Sequence, residues 1–349
     1  MNLDESKMII SEMEKEEAER ACLNAECDFL APDKKKANVV GMGVGVKWQN
    51  GQSTGEPAII VLVTRKVGSE ELVTDDQIPK KLEGMQTDVL EIGELTALGY
   101  LPLSTAPMAL AGRIRPCRGG YSVGHARVSA GTIGTCVYDI LPGGSINPPR
   151  HGTGKPGKYY ILSNNHVLAN SNNARVGDPI LQPGAADGGR YPADRIAVLE
   201  RFIPITFDPP VPRSRHNNVV DAAVARGEFS NLDREIYWIG CPHGWRLKTN
   251  VAVGTLIRKT GRTTNFTTGR ITAVAATVDI SYGAGRVARF RDQIVATNMA
   301  DGGDSGSLIT SLDNVAIGLL FAGSSSATII NQIENVRSLL KIEVAERFL

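Results

Sequence analysis

The 349-residue sequence contains no apolar run near the length of a membrane-spanning helix, which needs about 20 consecutive residues. It also lacks an excess of basic residues, since 38 Lys and Arg stand against 37 Asp and Glu, a net charge of +1. Proteins that bind nucleic acids normally carry a basic surplus. We therefore expect contact with neither a membrane nor a nucleic acid.

Cysteine is scarce, and its spacing is unlike the disulfide framework of a small secreted protein. There are five, an odd number, at Cys22, Cys27, Cys117, Cys136 and Cys241. The first residues, MNLDESKMIISEMEKEEAER, are acidic and polar, whereas a secretory signal starts basic and continues apolar. Together these features predict a cytoplasmic protein.

The sequence has no convincing pattern for a metal or a cofactor. Cys241-Pro242-His243 does not have zinc-site spacing, and no second pair completes it. The stretch 152–159 nearly fits a phosphate-binding loop, but it ends in Tyr159 where that loop needs a Ser or Thr. We therefore expect neither a metal nor a cofactor.

Residues 1–36 are predicted to form an acidic helix and a linker. Between residues 3 and 28, nine acidic residues stand against three basic ones. The apolar positions that fall near one helical face are Met8, Ile9, Met13, Ala21 and Cys22. Such a helix is either simply solvated or a docking element for a protein partner or a second subunit.

Residues 37–110 have the pattern of a small α+β domain. ANVVGMGVGVKW and PAIIVLVTRKV are typical strands, and Asn50-Gly51 between them is typical of a hairpin turn. TDVLEIGEL predicts a third strand. So small a unit is marginal alone, so we expect it to pack on the rest of the chain.

Residues 111–349 alternate short β-type runs with clusters of Gly, Pro, Asn and Asp, which predicts an all-β sandwich or barrel. The predicted strands cover 131–140, 158–163, 194–205, 218–226, 251–259, 268–280, 287–297, 307–311 and 315–323. A helix should close the domain, because Asn331 and Glu334 have capping-box spacing. Its apolar face would hold Ile333, Val336, Leu339 and Leu340.

A glycine-rich turn at 302–307 places Ser305 between Asp304 and Gly306, which suits an exposed nucleophile as well as a simple tight turn. A serine hydroxyl needs a base to remove its proton. Of the five histidines, His166 directly follows a buried apolar run. Asp221 lies within an apolar run, where an acid is costly unless it is paired, and a histidine N–H is a suitable partner.

The chain order His166, Asp221, Ser305, with Asp-Ala-Ala and Gly-Asp-Ser-Gly motifs, resembles the trypsin/chymotrypsin-like serine protease family. The resemblance covers about residues 112–345, and the stretch 259–269 is similar to a bacterial branch of that family. It implies a mainly β fold of two six-stranded barrels followed by a helix. His166 and Asp221 would belong to the first barrel and Ser305 to the second, with the site between them.

The resemblance also implies roles for these residues. Ser305 would attack the scissile carbonyl, His166 would act as base and then acid, and Asp221 would orient His166. The backbone N–H groups of Gly303 and Ser305 would form the oxyanion hole.

Substrate contacts follow from the same resemblance. Met299, six residues before the nucleophile, would form the base of the specificity pocket and favour apolar or medium-sized side chains. Asp301 would reverse this preference if the loop were offset by two residues. Phe321, Ala322 and Gly323 would belong to the edge strand that pairs with the substrate backbone.

One departure from the family concerns activation. The sequence has no Ile-Val-Gly-Gly start near residues 112–125, and Arg113, Arg115 and Arg118 are weak cleavage points. Asp304 should therefore pair with an internal group, or the site should form only after cleavage or partner binding.

The sequence thus predicts an intracellular serine endopeptidase that acts on proteins or peptides and is regulated by its N-terminal region or a partner. Two alternatives stay open: a latent or inactive binding or scaffold protein, and a protease that cleaves only itself.

Overall fold

The computed structural model describes residues 10–31, 34, 36–49, 52–100, 109–128 and 130–344. The predicted turn at Asn50-Gly51 and the predicted helical positions Met8 and Ile9 lie outside these residues. No helix in these ranges is both long and apolar enough to cross a membrane.

The helices and strands fall into three groups along the chain. The N-terminal group consists of α1 (Glu12–Phe29), β1 (Val39–Gln49), β2 (Gln52–Val63), β3 (Lys81–Leu82), β4 (Met85–Glu91) and β5 (Thr96–Ala97). The middle group consists of β6 (Cys117–Gly119), β7 (Ser122–His125), β8 (Gly131–Thr132), β9 (Thr135–Asp139), β10 (Tyr159–Ser163), α2 (Asn165–Leu168), β11 (Pro179–Leu181), β12 (Arg195–Phe202), β13 (Ala223–Gly227) and β14 (Leu232–Ile236). The last group consists of β15 (Gly244–Trp245), β16 (Leu256–Gly261), β17 (Asn265–Ser281), β18 (Val287–Thr297), β19 (Leu308–Ser311), β20 (Val315–Gly323), β21 (Ala327–Gln332), α3 (Ile333–Leu340) and β22 (Ile342–Glu343).

Most strands of the middle group form a curled antiparallel sheet together with β22, in the order β22-β9-β10-β13-β12-β11-β7-β8, while β6 and β14 form a separate parallel pair. Its two ends approach each other, because β8, which pairs with β7 at one end, is followed after only Ile133 and Gly134 by β9, which pairs with β10 near the other end. Its inner face is apolar and includes Val123, Ile161 and Leu199.

The last group forms a closed barrel. The order β16-β19-β20-β21-β18-β17 returns to its start because β17 also pairs with β16. Branched aliphatic residues fill its interior, among them Ile257, Ile294, Ile309, Ile317 and Ile330. The predicted mainly β fold, with a helix after the last barrel strand, is confirmed.

The N-terminal strands continue the sheet of this barrel. β1 pairs antiparallel with β17, β2 with β1, and β4 lies parallel to β2. The close approach of β1 to β17 requires glycine in β1, since a Cβ on Gly43 would lie 2.9 Å from the Ala276 Cβ of β17. The described residues of 37–110 therefore pack on the rest of the chain as expected, while the standing of 37–110 as a separate domain stays a prediction.

Helix α1 packs on this same sheet through Ala18, Ala21, Cys22, Ala25 and Phe29. The predicted place of Met13 on the apolar face is wrong, because its side chain is 76% exposed. Met13 precedes Ala18 by five residues, which is a rotation of about 140° around the helix axis, so its side chain points away from the buried face.

Helix α3 buries Ile333, Val336 and Leu340, but Leu339 is 43% exposed. The predicted capping box is also wrong, because the residue preceding the helix is Gln332 and makes no side-chain cap. Asn331 belongs to β21, and its amide Nδ2 donates to the Leu319 carbonyl at 3.1 Å.

Candidate active site

Three short connections carry the predicted triad. β10 ends at Ser163, and the single-turn helix α2 follows with His166. Ser305 lies in the turn before β19. Asp221 precedes β13, so the strand predicted over 218–226 begins only at Ala223. The reason is that a side chain, Oδ1 of Asn331, accepts the Asp221 N–H at 3.1 Å in place of a neighbouring strand.

The structure brings Asp221, His166 and Ser305 into one chain of hydrogen bonds. His166 Nδ1 lies 2.6 Å from Asp221 Oδ2, and His166 Nε2 lies 2.7 Å from Ser305 Oγ. The His166 backbone N–H also donates to Asp221 Oδ1 at 3.1 Å. All three side chains are buried. A nucleophile, a base and an orienting acid at these distances can perform acyl transfer.

Tyr282, which the sequence analysis missed, supplies a further contact to Asp221. Its hydroxyl donates to Asp221 Oδ2 at 2.7 Å. Burial, and then the nearby Asp221 carboxylate, raise the pKa of Tyr282 well above its ordinary value, so the phenol stays protonated and remains a donor. Asn164 Nδ2 donates to the Asp221 carbonyl at 2.7 Å. Asp221 is thus held from two sides.

The turn around Ser305 is anchored by Thr132 of the curled sheet. Gly303 has φ 97°, a left-handed conformation that suits glycine. Thr132 Oγ1 donates to the Gly303 carbonyl at 2.8 Å, and the Thr132 N–H donates to the Ser305 carbonyl at 2.7 Å. In the part of the chain that the structure describes, the N–H groups of Gly303 and Ser305 donate to no protein acceptor. Both remain available to an oxyanion.

Asp304 pairs with an internal cation. Lys259 Nζ lies 3.0 Å from Asp304 Oδ2, and both side chains are fully buried. The carboxylate also accepts N–H bonds from Thr263 at 2.8 Å, from Thr264 at 3.1 Å and from Asp301 at 3.1 Å. Burial lowers the pKa of Lys259, and the attraction of Asp304 opposes that shift. Of the two alternatives for Asp304, the structure has the internal pair.

Of the predicted substrate-binding residues, those of strand β20 lie beside this site, and Met299 lies in the apolar cluster of the closed barrel. Met299 is 4% exposed, whereas Asp301 is exposed. The Phe321 carbonyl oxygen lies 3.4 Å from Ser305 Oγ. Ala322 and Gly323 form a β-ladder, but with the chain's own strand β5.

Cys117 and Cys136 are separate buried thiols within one apolar cluster. Burial raises the pKa of each to about 12. Both side chains are therefore thiols near neutral pH, and they are unreactive there because the thiolate, not the thiol, is the nucleophile.

Comparisons with known proteins find similarity in different parts of the chain. The family described as NARROW LEAF 1 N-terminal domain matches residues 32–92, which hold β1, β2 and β4 but none of the triad. No curated protein matches.

Several solved structures are similar to about two thirds of this chain. Thermobifida fusca protease A has 14% identity and a TM-score of 0.43, covering 65% of this chain and 97% of that one. A Cellulomonas bogoriensis chymotrypsin has 20% identity and a TM-score of 0.41, covering 65% and 96%. A Nocardiopsis protease has 18% identity and a TM-score of 0.42, covering 65% and 97%. All three of those proteins are proteases.

Proposed function

We propose that this protein is a serine endopeptidase that hydrolyses peptide bonds through an acyl-enzyme intermediate. The observation that carries the proposal is the continuous hydrogen-bond chain from Asp221 through His166 to Ser305. A serine hydroxyl within 2.7 Å of an imidazole nitrogen can transfer its proton as it attacks a carbonyl carbon.

The reaction follows from the positions of these groups. As Ser305 Oγ bonds to the scissile carbonyl carbon, His166 Nε2 takes the hydroxyl proton. The N–H groups of Gly303 and Ser305 stabilise the oxyanion, and each such donor is worth about 3 kcal/mol of barrier. His166 then protonates the leaving amine, the C–N bond breaks, and water hydrolyses the acyl-enzyme by the same steps. Asp221 stabilises the imidazolium throughout.

The proposed substrates are proteins or peptides. Strand β20 runs past Ser305 and can pair with an extended backbone, a mode that tolerates many sequences. Buried Met299 supports a preference for apolar side chains.

Hydrolysis of an unfolded protein such as casein tests the proposal. The wild type and the control Ser325→Ala, which changes an exposed serine, should both release fragments, and Ser305→Ala should release none. Equal cleavage by Ser305→Ala would overturn the proposal. Absence of cleavage by every variant would favour the alternative of a protease-fold binding protein.

We further propose that the protein acts in a reducing compartment, which the thiol state of Cys117 and Cys136 supports. Mass spectrometry of the protein isolated without reductant should find both as thiols. A disulfide between them would contradict the assignment.

A further inference from the structure

The cleft is occupied by the chain's own residues 95–100, here called the cleft segment. Its strand β5 runs antiparallel to β20, with Ala97 opposite Ala322 and Thr96 opposite Gly323. On its other side, the Ser281 N–H donates to the Leu95 carbonyl at 3.0 Å. The segment therefore forms the backbone ladder that a bound peptide would form.

Leu98 is buried beside this ladder. Its side chain is 1% exposed and belongs to the same apolar cluster as Met299. A Cβ on Gly323 would lie 3.6 Å from Leu98 Cδ2, so the leucine packs directly against the glycine of β20. Leu98 directly follows Ala97, which lies opposite Ala322, and the preceding residue of β20, Phe321, has its carbonyl oxygen 3.4 Å from Ser305 Oγ. An apolar side chain of this chain is therefore buried at the end of the ladder nearest the nucleophile.

Gly99 and Tyr100 cover the catalytic histidine. A Cβ on Gly99 would lie 2.5 Å from His166 Cδ2 and 2.9 Å from Nε2, so only glycine fits without displacing the imidazole. Across the cleft, the Tyr100 hydroxyl lies 2.6 Å from Ser171 Oγ. This cover is consistent with the exposed fractions of His166 and Ser305, which are only 2% and 0%.

The cleft segment is not bound as a substrate about to be cut. After Ala97 the backbone turns into a single 3₁₀ turn, Leu98–Tyr100, instead of continuing extended past Ser305. Among the described residues, no carbonyl of the segment accepts the N–H groups of Gly303 or Ser305. A reacting carbonyl would need those donors. The segment therefore fills the cleft without presenting a bond in the reactive geometry.

We propose that the cleft segment is an internal competitor of substrate, and that the pocket filled by Leu98 selects peptides with leucine before the cleaved bond. The inference rests on the proposed endopeptidase function and adds its substrate class and its control. A substrate must displace the segment before its own leucine can enter the pocket. Residues 37–110 then regulate the site through the segment that follows their sheet.

The first arm of the test measures occupancy without catalysis. Ala97→Cys and Ala322→Cys are introduced together in the full chain carrying Ser305→Ala. Opposite residues of an antiparallel pair have Cα atoms about 4.5–5.5 Å apart, within the range of a disulfide. We expect this pair to cross-link on mild oxidation, while each single cysteine variant does not form an intramolecular disulfide. Failure of the pair to cross-link would overturn the proposal.

The second arm measures access to Ser305 by its rate of labelling with a fluorophosphonate. Leu98→Ala removes a fully buried apolar side chain that holds the segment in the cleft, and it should speed labelling about tenfold or more because that burial is lost. Leu247→Ala is the matched control and should be labelled like the wild type, because this half-buried leucine packs on the apolar cluster that includes helix α3, outside residues 37–110. Equal rates for Leu98→Ala and the wild type would overturn the proposal.

The third arm reads the substrate class. A peptide library digested by the Leu98→Ala chain should be cut after leucine, and a preference for basic or acidic residues would refute the pocket assignment. If the disulfide forms but no variant is labelled on Ser305 or cleaves peptides, the segment does occupy the cleft and the proposed hydrolysis is refuted. The two failures are therefore distinguishable.

Discussion

Replacing Lys259 with methionine would leave the Asp304 carboxylate buried without its cation. The two groups are 3.0 Å apart and both side chains are 0% exposed, so water cannot replace the lost partner. Removing one member of a buried pair costs about 3–5 kcal/mol because the remaining charge is uncompensated. Urea unfolding of Lys259→Met should show a loss of this size. Labelling of Ser305 should fall as well, since Asp304 directly precedes it.

A double variant separates the lost charge pair from lost packing. In Lys259→Met/Asp304→Asn, the amide oxygen can still accept the Thr263 and Thr264 N–H bonds, and no buried charge remains. We expect this variant to regain about half or more of the lost unfolding free energy. A loss below about 1 kcal/mol in Lys259→Met would refute the reasoning, because such a value is typical of an exposed ion pair. No recovery in the double variant would refute it as well, because the loss would then not come from an uncompensated charge.

Three further predictions concern the site. Asp221→Asn should lower kcat about 10⁴-fold with the fold intact, because the amide favours the wrong tautomer of His166; near-wild-type kcat would contradict that role. Tyr282→Phe should lower kcat about tenfold or more, since a hydrogen bond to a charged group is worth about 1.5–3 kcal/mol; an unchanged kcat would remove Tyr282 from the site. Labelling should fall on the alkaline side below pH 10.5, because burial lowers the pKa of Lys259, and the neutral amine can still donate a hydrogen bond to Asp304 but no longer offsets its charge beside Ser305. Between the folded and the unfolded pKa of Lys259, the unfolded chain binds more protons, so this group makes the free energy of unfolding rise with pH. Urea unfolding at the same pH values should therefore show that the chain is still folded where labelling has fallen.

The triad residues could be found from the sequence because each lies in a local pattern. His166 follows an apolar strand, Asp221 precedes a run of alanines, and Ser305 lies among glycines. Long β-type runs could also be identified from the sequence, and strands 287–297 and 315–323 have the predicted bounds. Local periodicity and turn composition carry this information without knowledge of tertiary contacts.

The supporting residues could not be found, because their roles depend on partners distant in the sequence. Tyr282 is 61 positions from Asp221, and Lys259 is 45 from Asp304. Strand β5 has only two residues, so it has no periodicity, and its partner Gly323 lies more than 200 positions away. The start of β13 was misplaced for the same reason, since the Asn331 side chain substitutes for a strand neighbour.

Mass-mapped labelling of Ser305 tests the central claim most directly. The wild type, Leu98→Ala, His166→Ala and Ser305→Ala would be treated with a fluorophosphonate, digested and searched for the modified peptide. We predict the added mass on Ser305 in the first two chains, faster in Leu98→Ala, and on neither of the last two. No label on Leu98→Ala, or equal label on His166→Ala, would show that the hydrogen-bonded triad does not activate Ser305.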